Sequence, residues 1–156
     1  MASVHDVAKY IVKHFEGRPI STMKLQKLAF FAQGWSIGAA QREIFPQRFQ
    51  AWAKGPVCYD LFVHHRGEYS IRDWPVGDSS QVTGSDKVIL DAVLSNYGAL
   101  SGLDLSELTH RPGTPWARAR ERAGVGEGDM CRALLDDGDM TEYFTRLLSL
   151  DSDGQH

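Results

Sequence analysis

The stretch Thr22–Trp35, Thr-Met-Lys-Leu-Gln-Lys-Leu-Ala-Phe-Phe-Ala-Gln-Gly-Trp, constrains what this chain can fold into more than any other. It holds no proline and opens on good helix formers, so it reads as a helix continuing to about Ala39. On a 3.6-residue wheel, Leu25, Leu28, Ala29, Ala32, Ser36 and Ala39 share one broad face, and Met23, Phe30 and Ile37 fall almost opposite. A helix apolar on two sides belongs at the centre of a domain, with other elements packed around it. Only a strip through Lys24, Lys27, Gly34 and Gly38 is left for solvent or close backbone approach. Gln26 and Gln33, seven apart among apolar neighbours, need hydrogen-bond partners once buried, and fixing adjacent loops is the simplest use for them. Lys24 and Lys27 lie in the first turns, against the positive end of the helix dipole, at a cost of roughly a few tenths of a kcal/mol. Most such lysines are solvated; a minority are kept for an acidic partner.

Other elements follow in order. Ser3 caps a first helix whose Val4, Val7, Ala8, Ile11, Val12 and Phe15 keep one face, and Gly17 and Pro19 stop it. Ser21 or Thr22 caps the central helix. Arg48–Ala53 is short and aromatic, as a strand is. Gly55-Pro56 closes that strand and is predicted to open a helix over Val57–Arg66, with proline at the first helical position. Trp52, Lys54, Gly55 and Pro56 would then form a strand-to-helix corner. Glu68–Trp74 returns as a second strand beside the first, and Asp73–Thr83 is a loop. Ser85-Asp86 caps a helix with Val88, Ile89, Ala92 and Val93 on one face and Leu90, Leu94 and Tyr97 on another. Asp104–His110 is a short helix. Thr114 caps and Pro115 starts the next, which carries Trp116, Ala119 and Ala123, with Arg118, Arg120 and Arg122 pointing away. Asp139 and Glu142 make a capping box for the last helix, with Phe144, Leu147 and Leu148. The predicted architecture is mainly α: a compact single-domain helical bundle around a central buried helix at about 22–39, with a small two- or three-stranded β-element. Residues 1–150 form the domain and 151–156 a disordered polar tail.

Composition narrows the function. A chain of 156 residues suits one domain with a real core. No run approaches the roughly 18–20 apolar residues of a membrane span, and the start lacks the basic and apolar regions of a signal peptide. Cys58 and Cys131 are lone thiols without metal-type spacing, so a cytoplasmic, reducing location is expected. The net charge of −3 conceals a division: residues 1–75 carry ten Lys/Arg against six Asp/Glu, and residues 76–156 carry seven against fourteen. An acidic chain without a basic tract is a poor nucleic-acid binder. Polarised charge suits a protein partner better.

Enzymatic signals are weak. His64 and His65 are adjacent, so on a helix they point about 100° apart and do not readily ligate one ion. His5 and His14 lie on the polar side of the first helix. His110 ends a short helix beside a Pro-Gly turn, where the helix dipole alone favours it. No His-Glu-x-x-His, no paired carboxylates in an apolar setting and no serine elbow are present, so no catalytic residue, cofactor or metal is expected. The enzymatic alternative is a metal-dependent hydrolase using His110 with His64 or His65. Gly124, Gly126 and Gly128 are not a phosphate loop, since no strand precedes them and no Lys-Ser/Thr follows. A helix-turn-helix over Leu103–Arg122, serving a DNA-binding autorepressor, is a third reading; its alternating arginines fan around the helix rather than forming one face.

Three blocks carry a resemblance: Met23-Lys-Leu-Gln-Lys-Leu28 with Ala32-Gln-Gly-Trp35; Phe49-Gln-Ala-Trp-Ala-Lys-Gly-Pro-Val57; and Leu105-Ser-Glu-Leu-Thr-His110 with Pro115-Trp116. In this order they resemble the Panacea domain, the SocA-like antitoxin family of bacterial toxin–antitoxin pairs and prophage-associated proteins, over roughly residues 4–122. The resemblance implies a mostly helical domain with a small β-element and a non-enzymatic role: binding and neutralising a cognate protein toxin. In the SocA type it also implies an adaptor that brings the toxin to the ClpXP protease. The sequence departs from the family pattern at Ser36-Ile37, and residues after Gly124 lie outside it. Lys24, Lys27, Trp52, Lys54, His110 and Trp116 are the candidate partner-binding residues, with the Lys24–Lys27 strip and the His110–Trp116 corner expected on one docking surface.

Overall fold

The structure, a computed structural model, describes the backbone of residues 1–153 and the side chains of residues 1–150. The elements run α1 (Val4–His14), β1 (Ile20–Ser21), α2 (Thr22–Ala40), β2 (Phe49–Trp52), β3 (Gly55–Cys58), α3 (Tyr59–His65), β4 (Ser70–Ile71), a 3₁₀ turn (Ser79–Gln81), α4 (Gly84–Tyr97), α5 (Gly102–His110), α6 (Pro115–Ala123) and α7 (Asp137–Asp153). The chain is thus mainly α with small antiparallel sheets, as predicted. The predicted tail overlaps α7 at 151–153, and its residues 154–156 lie outside the described residues.

α2 is the axis. Every residue from Leu25 to Gly34 is buried, and α1, α4, α5 and α7 pack around it. Ser21 caps it, its hydroxyl accepting from the Lys24 amide at 3.0 Å. The small-residue strip admits α7: a Cβ built on Gly34 would come within 2.1 Å of the Phe144 ring, and one on Gly38 within 2.8 Å of Phe144 Cβ. Phe144 itself is fully buried against Phe30, Phe31 and Trp35. Both glutamines tie loops to the axis. Gln26 Nε2 donates to the Cys58 carbonyl at 3.1 Å while its Oε1 accepts from the Cys58 amide at 2.8 Å. Gln33 donates to the Phe45 carbonyl at 2.7 Å and accepts from the Ile44 amide at 2.9 Å.

Several expectations are corrected. Gly55-Pro56 does not open a helix. It starts β3, which pairs with β2 from Phe49↔Cys58 to Trp52↔Gly55, and the helix begins later, at Tyr59. Pro56 is tolerated because β3 is an edge strand, where a missing N–H breaks no ladder. β4 pairs with β1 rather than β2, making a second two-stranded sheet. Lys27 is not on a solvated strip but fully enclosed. Val88 is 68% exposed, and α4 instead buries Leu90, Val93 and Leu94 towards α2. Arg120 turns inward, only 5% exposed. The start of α7 is held by Asp136, whose carboxylate accepts from the Asp139 amide at 3.0 Å. Asp139 and Glu142 face α6 and pair with Arg118, each at 3.1 Å; Asp139 also takes Arg122.

Candidate partner-binding surface

The β2–β3 hairpin turns through Ala53 and Lys54. A backbone exposing so many carbonyls towards helices must find donors for them, and here each donor is a side chain. Arg120 donates to the Ala51 carbonyl at 2.9 Å, the Trp116 indole to Trp52 at 2.6 Å, the Ser106 hydroxyl to Lys54, and the Lys27 ammonium to Pro56 at 3.0 Å. His110 places Nε2 3.3 Å from the Ala53 carbonyl and Nδ1 2.6 Å from the Ser106 carbonyl. Three helices, α2, α5 and α6, therefore grip the hairpin at four carbonyls between residues 51 and 56, with the His110 ring against a fifth.

Lys27 makes this arrangement depend on burial. Its pKa is pulled down to about 7 by desolvation, and its stem fills the space beside Gly55, whose φ of +124° suits glycine. The imidazole of His110 lies against Trp116 with ring centroids 3.9 Å apart, and the Arg120 guanidinium lies 5.1 Å from the centre of that indole. Arg120 also donates to the Gly126 and Asp129 carbonyls, at 2.9 and 2.7 Å, fixing the loop after α6. That loop returns to the hairpin: the Ala51 amide donates to Ala133, and the Leu135 amide to Phe49, at 2.8 and 3.0 Å.

The six candidate residues divide accordingly. Lys27, His110 and Trp116 are inner supports of the hairpin, Trp116 being only 9% exposed. Lys24 is half-buried, donating to the Gly98 carbonyl at 2.6 Å over the Phe15 ring. Trp52 is partly exposed and Lys54 exposed at the turn. Sequence reasoning missed Tyr59, Phe62, Arg66 and Arg132 beside Trp52. The Trp52 and Phe62 ring centroids are 4.8 Å apart, and those of Tyr59 and Phe62 are 5.9 Å apart. Arg66 lies 5.2 Å over Phe62, and Arg132 lies 5.9 and 6.0 Å from Trp52 and Tyr59. Tyr59 and Phe62 follow the Phe49–Val57 block within five residues, which was a hint; Arg132 is far away in sequence.

His5, His64 and His65 pack against other side chains of the fold. His65 is buried, its pKa lowered by desolvation, and it meets Gln26 Nε2 at 3.0 Å. His5 Nδ1 accepts from the Trp74 indole at 3.2 Å and its ring meets His64 edge-on at 4.8 Å. Burial, followed by the nearby His64, lowers its pKa. Among the described residues, no group of three or more His, Cys, Asp or Glu is placed to hold a metal ion. No helix among them is long and apolar enough to cross a membrane.

The class this defines is a helical scaffold whose polar side chains converge on the backbone of a small hairpin. The family model described as antitoxin SocA-like, Panacea domain, matches residues 25–117, more than half of the chain, and the protein belongs to that family. No curated protein and no solved structure matches it.

Proposed function

We propose that this protein is an antitoxin that binds a cognate protein toxin through the surface around the β2–β3 hairpin and neutralises it without chemistry of its own. The observation that carries this reading is the convergence of Lys27, Ser106, His110, Trp116 and Arg120 on the hairpin backbone. Polar residues that could have served a reaction centre instead hold a recognition element rigid. Trp52 and Lys54 are the candidate residues that meet the toxin, and Lys24, Lys27, His110 and Trp116 act by positioning the elements beneath them.

The experiment is co-expression. The toxin is the product of a small adjacent gene that arrests growth when expressed alone; this protein relieves the arrest and co-purifies with it. Growth arrest unaffected by co-expression overturns the proposal. Direct neutralisation and delivery to ClpXP are separated by toxin half-life: an adaptor shortens it only in cells with active ClpXP, whereas a direct neutraliser leaves it unchanged or lengthened. The autorepressor reading fits less well, because Arg118 and Arg122 are paired with Asp139 and Arg120 is buried.

A further inference from the structure

We infer that Trp52, Tyr59 and Phe62, flanked by Arg66 and Arg132, form a preorganised dock for an acidic segment of the toxin that carries an apolar or aromatic anchor. This rests on the toxin-binding reading and specifies its surface.

The three rings form one partly exposed pad. Trp52 comes from β2, Tyr59 and Phe62 from α3. Trp, Tyr and Arg are the residue types that dominate binding hot spots. Rings already packed edge-on and tilted against one another lose little freedom when covered, and flanking cations reward a negatively charged partner. The charges are available. Arg66 and Arg132 are exposed, neither joins an ion pair among the described residues, and the hydrogen bond given for Arg66 goes to the Tyr59 hydroxyl at 3.2 Å. By contrast, Arg42, Arg48, Arg118, Arg122 and Arg146 are each matched with a carboxylate. The adjacent Asp60 takes the weak Cys58 thiol donor, and its field reaches His5 on α1.

The pad is also rigid from behind. Trp52 is held through its carbonyl by Trp116 and through its indole by Gln50, at 2.6 and 2.7 Å. Arg132 stands beside Ala133, whose carbonyl accepts from β2, in a loop that Arg120 anchors. Little ordering is left to oppose association.

The test has two arms. In the first, the isotope-labelled full chain is titrated with two short peptides, one of glutamates around a single phenylalanine, the other of lysines around the same phenylalanine. The acidic peptide is expected to shift the Trp52 indole resonance and the amides around Tyr59–Arg66 and Arg132, with affinity falling as salt rises. The Arg66→Glu/Arg132→Glu variant loses this and favours the basic peptide, whereas Arg66→Lys/Arg132→Lys retains it. Shifts elsewhere, none at all, or no discrimination by charge overturns the dock.

In the second arm the purified toxin is titrated with wild type and the double reversal, both verified as folded by circular dichroism. Roughly tenfold weaker capture by the reversal at low salt, converging at high salt, supports the dock. Equal capture by both overturns the dock and leaves the antitoxin reading standing. If wild type captures no toxin, the antitoxin reading fails, and the peptide arm alone decides the dock.

Discussion

The Nζ of Lys27 reaches the carbonyl oxygen of Pro56 at 3.0 Å by passing beside Gly55, where a Cβ would stand 2.5 Å from the lysine's Cε. One residue's missing side chain is the path of another's charge.

Gly55→Ala closes that path. The new methyl meets Lys27 and stands 3.1 Å from Thr109 Oγ1, in a backbone conformation L residues rarely adopt. Overpacking and strain together should lower stability by about 2–4 kcal/mol. Urea denaturation measures it, and a near-neutral effect would mean that the hairpin moves freely.

Lys27 should make stability depend on pH. Its folded pKa of about 7 lies below the ordinary lysine value of 10.5, so between about pH 7 and pH 10.5 the unfolded chain binds the additional proton. Stability therefore rises with pH through that window, by at most about 1.4 kcal/mol per unit from this group. Lys27→Met removes this component, so the variant's stability relative to wild type should be greatest near pH 6 and decline towards pH 10. Parallel pH curves for the two proteins would contradict it.

Phe144 and Gly34 form a coupled pair. Phe144→Ala should cost about 3–5 kcal/mol, as large-to-small core changes do, and Gly34→Ala should also destabilise because its methyl would overlap the ring. Combined, the two should cost less than their sum, since the methyl then occupies space the ring has left. Strict additivity in a double-mutant cycle would show that α2 and α7 do not interlock here.

Arg120→Met retains an apolar stem against Trp116 but strands the Ala51, Gly126 and Asp129 carbonyls. Leaving buried acceptors unpaired costs about 1–3 kcal/mol each, less where water reaches them. Hydrogen exchange should quicken around residues 126–135 and in β2 with α1 unchanged. Uniform acceleration would assign Arg120 a global role instead.

How much of this was legible beforehand depended on range. The axis at α2, the Ser3 and Thr114 caps and the loop-holding glutamines are written in local spacing, and the structure has them. Gly55-Pro56 misled because glycine and proline fit both a helix start and an edge strand; pairing with β2 decided it. Lys27 and Arg120 misled because a wheel assigns cations to solvent. Both found backbone carbonyls from distant segments, which no local pattern encodes. Of the pad, only Trp52 lay within a recognised block; Tyr59 and Phe62 follow it on α3, and Arg132 arrives by the return of the last loop.

Because the hairpin is fastened by its carbonyls, which every amino acid possesses, the grip is indifferent to the side chain displayed at residue 54. That side chain can change while the atoms beneath it stay where they are. A lineage could exchange what the tip displays, one substitution at a time, without refolding the tip itself. Substitutions at Lys54 should accordingly change which partners are accepted long before they change whether the protein folds.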